Sequence, residues 1–505
     1  MVSMKARALA GAMIVAGLAS PALAQTRSGG VQPFTQQERQ QGAQAHQQIL
    51  SEMGGAMTGR AADYARMVGQ NISVQSGLSS ARSDFNVTLL NSAVNNAFAL
   101  PGGYVYVTRQ LMGLMNNEAE LAGVLGHEVA HTAARHARQR QNAATRNGLL
   151  GVAGTILGGL LGNNGGLLGT LGRGIQQNAM RAAQVATLGF SRSQETQADD
   201  LGIQYLARAG YDTRALSTML ASLAAQNALD VRAAGRDARD VPEWASTHPD
   251  PASRVQRALQ MAQRVGGVGG RTNRDEFLNA LNGTMYADDP AQGVVEGRDF
   301  LHPDLRFGFT VPQGFGIGNS PSAVNVSGNT GQAQFTTLGR NAGRDLQTYV
   351  GQVFQQIAGG NQQGQQSAIQ APPVRRTTIN GLPAAYASTQ ANTQNGPVEV
   401  TVVAYDFGDQ IYHFQTLARA GGSGVFDSMF NSVRRLSTNE VAAIRPRRIE
   451  VMTVPRNGAS VQSYAQRMAY RDYQDERFRV LNGLSSNTNM LPGGTRVKVV
   501  TYGTR

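Results

Sequence analysis

Between residues 47 and 285 apolar positions recur every three or four residues, the spacing that lines up one face of a helix. Two stretches depart from it: 85–90 and 97–107 carry β-branched and aromatic runs and read as strands. From about residue 299 the pattern changes. "LRFGFTVP", "AVNVSG", "QAQFTTL", "PAAYASTQ", "VEVTVVAYDFG" and "QIYHFQTLA" read as strands, 345–357 and 425–436 keep a helical spacing, and 359–370 is a Gly/Gln loop. Residues 299–440 are therefore expected to form an α+β domain with an antiparallel sheet and a few packed helices. Residues 447–501 read strand, helix, helix, strand, as a further small unit.

The start of the chain is patterned differently. Lys5 and Arg7 lead into an apolar run, and Ala22-Leu23-Ala24 offers small residues around a bulky one. That is the layout of a cleaved signal peptide, expected over 1–24, which puts the mature protein in the periplasm or otherwise outside the cytoplasm. Gln, Gly and Arg dominate 25–46, expected to be a flexible leader. One more apolar segment, 147–174, is broken by Asn163-Asn164-Gly165-Gly166 into pieces shorter than the ~20 residues that span a bilayer. It is expected to be a lid beside a site, with peripheral membrane contact as the sharper alternative.

Composition narrows the chemistry. The 505 residues include no cysteine. Disulfides, a lipid-modified N-terminal Cys and thiolate ligands are all excluded, which leaves His, Asp and Glu for any metal. The formal charge of +12 comes almost entirely from Arg and reads first as a generally basic composition, though the excess would still favour anionic envelope surfaces. No nucleic-acid motif accompanies it, and nucleic acid is not expected as a partner.

The segment "NNEAELAGVLGHEVAHTAARHARQR" carries the chemistry. Asn117 can cap a helix, with Glu120 three residues on as in a capping box. On that helix His127 and His131, four apart, present two imidazoles to one ion. Glu128 follows the first of them, within reach of a water on the metal. Zinc lowers the pKa of such a water toward ~7, and a carboxylate here can take the proton and deliver it to a leaving amine. The helix is otherwise apolar, so these polar groups would be buried, at a cost that a metal ion relieves. His136 falls off the ligand face and reads as an ordinary helix residue.

A catalytic zinc takes three protein ligands and keeps one position open. "FSRSQETQADDLGIQYLARAGYD" supplies the third on another helix, capped by Ser191 with Gln194 and ended at Gly210. Glu195, Asp199, Ile203 and Leu206 share one face. Glu195 is the candidate ligand. Asp199, one turn on, can accept from the outer nitrogen of a liganding His, His127 in the first place.

Three stretches together resemble a known family: "NNAFALPGGYVYVTRQLMGLMNNEAELAGVLGHEVAHTAARH", "SRSQETQADDLGIQYLARAGYD" and "STHPDPASRV". They are similar to the gluzincin metallopeptidases, the family of the CAAX prenyl protease and of the bacterial heat-shock and β-barrel assembly-enhancing proteases, in its soluble periplasmic branch. The resemblance implies a mainly α-helical zincin catalytic domain of α+β class over 47–285, one zinc ion, and hydrolysis of peptide bonds in protein or peptide substrates. It implies His127, His131 and Glu195 as ligands, Glu128 as general base, and Asp199 as support. Asn96, Ala97, Phe98 and Ala99 match an edge strand where a substrate peptide could add. His248 and Arg254 match a His-Pro…Arg element near the site. For His248 this implies a role at the reacting carbonyl, as oxyanion stabiliser or as a gating ligand, beside the plainer reading of a contact at the next helix start.

The last unit resembles a LysM module, a fold that binds N-acetylglucosamine-containing glycans. Val454 before the Gly458 turn, Leu481-Asn482-Gly483-Leu484 and Leu491-Pro492-Gly493 carry the likeness. Ala459 departs from it where the family usually has Asp. Peptidoglycan is thus an expected partner through this unit. A chaperone-like binder and a peptidoglycan amidase are the competing functions.

Overall fold

The computed structural model describes residues 30–140, 190–233, 248, 251–339, 345–359, 372–393 and 396–504. The expected signal peptide, the apolar segment 147–174 and positions 360–370 of the Gly/Gln loop lie outside the described residues. Among the described residues no helix is long and apolar enough to cross a membrane.

The first unit runs through α1 (Gln36–Glu52), α2 (Arg60–Ser73), β1 (Asn86–Leu90), β2 (Ala97–Leu100), β3 (Tyr104–Thr108), α3 (Arg109–Leu114), α4 (Glu118–Ala133), α5 (Arg192–Arg208), α6 (Ala215–Ala233), α7 (Pro251–Val265) and α8 (Arg274–Leu281). The expected leader is helical from Gln36. Thr35 and Glu38 close a capping box, and Ile49 packs with Leu90, Leu100 and Tyr106. A polar composition hid a helix that needs only one buried stripe to dock. The stretch 97–107 is two strands rather than one, because Gly102 and Gly103, at φ 91° and 92°, turn the chain back. The sheet order is β1-β3-β2, with β1 parallel and β2 antiparallel to β3, so β2 is an edge.

Helix α4 lies at the centre, against α2, α5, α6 and β2. Asn117 caps it by accepting from the amide of Glu120 at 3.0 Å. The Glu120 carboxylate does not return to the cap residue as a capping box would; it accepts from Asn116 N–H at 2.7 Å. Helix α5 opens on the complete Ser191/Gln194 box. It crosses α4 at Gly202, where a Cβ would stand 3.2 Å from the His127 amide nitrogen.

The second unit holds β5 (Val294–Glu296), β6 (Asp299–His302), β7 (Phe307–Thr310), β8 (Gly316–Asn319), β9 (Val324–Gly328), β10 (Gly331–Thr336), α9 (Leu346–Gly359), β11 (Arg375–Ile379), β12 (Leu382–Thr393), β13 (Gly396–Asp406), β14 (Ile411–Arg419), α10 (Asp427–Ser432), β15 (Arg434–Arg435) and α11 (Thr438–Ala443). Its antiparallel seven-stranded sheet, β11-β12-β13-β14-β10-β9-β8, buries one face under α9. The other face packs on the four-stranded sheet β15-β7-β6-β5 and α10. The single helix expected over 425–436 is divided into a 3-10 turn, α10 and β15. The break after Ser432 lets Val433 and Leu436 enter two different cores.

The C-terminal unit runs β16 (Arg447–Thr453), β17 (Ala459–Ser460), α12 (Val461–Ala465), α13 (Gln474–Asn482), β18 (Met490–Leu491) and β19 (Arg496–Tyr502). It is not suspended from the rest. β16 pairs with β4 (Met285–Tyr286) as well as β19. Ile449, Tyr464, Phe478, Leu481 and Val499 belong to the same hydrophobic cluster as Leu121, Leu125 and Val129 of α4. The buried Lys498 ammonium donates to the carbonyls of Gly113, Leu114 and Met115 at 2.8, 3.2 and 2.5 Å, gripping the corner that leads into α4.

Candidate metal centre

Three elements and one single residue bring the site together. His127, Glu128 and His131 come from α4, Glu195 and Asp199 from the first two turns of α5, Arg254 from the start of α7, and His248 stands between them. Ligand atoms of His127, His131, Glu195 and His248 all lie within 4.8 Å of one another. His127 Nε2 is 3.1 Å from His131 Nε2. Glu195 Oε2 is 3.6 Å from the first nitrogen and Oε1 3.5 Å from the second. His248 Nδ1 is 3.1 Å from Glu195 Oε1, and its Nε2 is 3.6 Å from Glu128 Oε1.

This donor set fits zinc. His127 Nδ1 lies 2.9 Å from Asp199 Oδ1, so Nδ1 carries the proton and Nε2 faces the cluster as a bare lone pair. A bare nitrogen buried beside a carboxylate is satisfied by a cation. Nitrogen ligands about 2.0–2.1 Å from a tetrahedral zinc stand roughly 3.3 Å apart, close to the spacings here.

The charges are held in order by Arg254. Its Nε and Nη2 donate to both oxygens of Asp199 at 2.9 and 2.6 Å, and its Nη1 reaches Glu195 Oε2 at 2.5 Å. Burial would raise Asp199, but the bond to His127 and the Arg254 guanidinium hold it well below the usual carboxylate range. Burial likewise works against the charged form of Glu195, yet His248, His127 and Arg254 bring its carboxyl below the ordinary value. Glu128 moves the other way: burial pushes it up, and His248 and His127 only partly offset that. For His248 burial works against charge, but Glu195 and Glu128 raise it.

Beside Glu128 an apolar pocket opens, lined by Leu111, Val124, Leu216, Met219, Leu220 and Leu223 and bounded by Asn95, Asn96, Ala97 and His248. Edge strand β2, with Ala97, Phe98 and Ala99, borders it. Asn96 stands just outside the strand, its amide donating to Thr108 Oγ1 at 3.1 Å.

Two residues at the site escape the sequence reading. His136 is fully buried, and its Nδ1 is 2.9 Å from His131 Nδ1. It faces the site because α4 ends at Ala133 and Arg135 takes a left-handed φ of 57°. Phe190 stacks on the His131 ring, centroids 3.6 Å apart. The "RH" and the aromatic before the α5 cap were the available signals; a continued helix, as read, sends His136 elsewhere.

Residues 60–262 match peptidase family M48. A "Beta-barrel assembly-enhancing protease" of Yersinia pestis is 34% identical over 189 residues, 37% of this chain and 36% of that protein. The protein so named in Escherichia coli (strain K12) is 29% identical over 202 residues, 39% of each. "Mitochondrial metalloendopeptidase OMA1" of Schizosaccharomyces pombe is 29% identical over 229 residues, 44% of this chain and 59% of that protein. The chain thus spans between 36% and 59% of these relatives' own lengths. Over residues 60–262, which hold the whole cluster, the chain resembles the zinc metallopeptidases of family M48, the β-barrel assembly-enhancing proteases among them.

Proposed function

We propose that the chain is a zinc-dependent endopeptidase that hydrolyses peptide bonds of bacterial envelope proteins, misfolded or misassembled ones in particular. The observation that carries the proposal is Glu128, a carboxylate outside the ligand set, placed between the four-residue cluster and an apolar pocket beside an edge strand. Zinc, when bound, acidifies water toward a pKa of ~7 and polarises a carbonyl oxygen. The chain's own groups do the rest. His127, His131 and Glu195 hold the ion, and Asp199 with Arg254 fixes His127. β2 takes the peptide backbone as an added strand, and the pocket takes an apolar side chain. Glu128 accepts the proton of the attacking water. As the carbon–nitrogen bond breaks, Glu128 returns that proton to the leaving amine.

His248, whose donor atom lies among the ligand atoms, is read as a gate: it would hold the ion as a further ligand in the absence of substrate. The exported setting rests on residues 1–24 and on the names of the relatives. The C-terminal unit, whose antiparallel pair of β17 and β18 leaves Met490 60% exposed, is read as a LysM-like contact for peptidoglycan glycan.

Treatment with 1,10-phenanthroline should abolish casein cleavage by the full chain, and added zinc should restore it. Cleavage that persists after the metal has been stripped would contradict the proposal.

A further inference from the structure

The two histidines of α4 are oriented by different devices. His127 leans on a charged pair, Asp199 and Arg254. Among the described residues His131 meets no carboxylate at its outer nitrogen. Its Nδ1 faces His136 Nδ1 at 2.9 Å, and the far nitrogen of His136, Nε2, is 3.1 Å from Gln197 Oε1. With His136 neutral, one proton arrangement satisfies this chain. An amide oxygen can only accept, so His136 Nε2 carries a hydrogen. A neutral His136 then has a bare Nδ1, which must accept, so the hydrogen between the rings belongs to His131. That leaves His131 Nε2 as a lone pair, directed at the cluster. His136 is fully buried, where a neutral ring costs least.

We propose that His136 is a positioning residue for His131, locking it in the tautomer and orientation that present Nε2 to the metal, with Gln197 fixing His136 in turn. The placement follows from the fold. Arg135, in its left-handed conformation, pairs with Glu38 and donates to the carbonyls of Gln32 and Pro33 at 3.1 and 3.2 Å. That anchor swings His136 back beneath His131. On the other side Phe190 covers the His131 ring. A neutral relay also suits the charge balance. Glu195 and Asp199 already share one arginine, with Glu128 beside them, and a fourth carboxylate would repel all three.

The inference rests on the zinc reading of the cluster, and its test reads binding, not activity. Zinc affinity of the full chain is measured by competition with a chromogenic chelator. His136→Leu, which removes the acceptor, should weaken zinc about 10- to 100-fold. His136→Asn, whose Oδ1 takes the place of Nδ1, should stay within about 3-fold of the unmodified chain, the rescue a mere packing role would not give. Affinity unchanged in His136→Leu overturns the proposal, as does an equal loss in both variants. An unmodified chain that binds no zinc overturns the zinc reading and this inference with it. Should His136→Leu not fold, nitrogen NMR of the imidazoles in the zinc-loaded chain decides. The Nε2–H tautomer is expected for His136, and an Nδ1–H tautomer or an imidazolium overturns the proposal.

Discussion

His413 shows how far burial alone can move a single side chain. It sits on β14 with 1% exposure, Nδ1 3.0 Å from the Tyr349 hydroxyl, and burial lowers its pKa to about 3. The unfolded chain titrates it near ~6.5. A group whose folded pKa is depressed leaves the native state undisturbed above the unfolded value. As pH falls from 6.5 toward 3 the unfolded chain binds a proton that the folded one refuses, and stability is lost. The slope is about 1.4 kcal/mol per pH unit, so roughly 2 kcal/mol is gone by pH 5. Urea midpoints at pH 7 and pH 5 should therefore separate less in His413→Gln than in the unmodified chain; equal separations would mean that His413 does not titrate in this way.

At this same scale the site is legible only in part. His127 and His131 can be read from four-residue spacing because a helix is local, and Glu195 and Asp199 because they repeat that spacing on a second capped helix. His136 cannot. Its position depends on Arg135 leaving the helical region under the pull of Glu38, 97 residues away in sequence. Arg254 is legible as a nearby element, but its three donations to two carboxylates depend on the packing of α7 against α5.

Among elements, the contact that matters most to the site is the crossing of α4 and α5. Glu195 and Asp199 ride on α5, and their distance from the two histidines is set where Gly202 passes the backbone of His127. A Cβ at Gly202 would meet His127 nitrogen and Cα at 3.2 and 3.3 Å, so the helices must part by a few tenths of an ångström. Gly202→Ala should therefore weaken zinc binding at least several-fold while the chain still folds, because metal ligation tolerates distance errors of only about 0.2 Å. Chelator competition measures it, and affinity equal to the parent's would mean that the crossing has slack. The strands of the second unit are plain in the sequence because alternation is a two-residue signal. The division of 425–436 is not, because apolar residues at helical spacing also serve a short helix followed by a strand that reaches another core.

Across the whole molecule, the C-terminal unit bears on the catalytic one through its core, not through a tether. Sequence reading separates them, since 447–501 has its own strand–helix–helix–strand pattern. Nothing local reveals that Lys498 is the partner of three carbonyls at the end of α3, or that Phe478 and Val499 extend the cluster around α4. A chain ending at residue 445 uncovers that cluster and takes the Lys498 donor away from those carbonyls. It is expected to lose cooperative unfolding of the first unit together with zinc binding, read by calorimetry and metal analysis. A truncated chain that melts cooperatively and holds zinc like the parent would make the last unit an independent module after all.

The proposed activity stands on Glu128 acting on a peptide bond beside a zinc ion that other residues hold. The most direct measurement compares casein cleavage and zinc content in the full chain and in Glu128→Gln, side by side. One zinc per chain is expected in both and cleavage only in the parent, with at least a 100-fold loss in the variant, about 3 kcal/mol of barrier. Cleavage by Glu128→Gln at the parental rate, with its zinc in place, would contradict it.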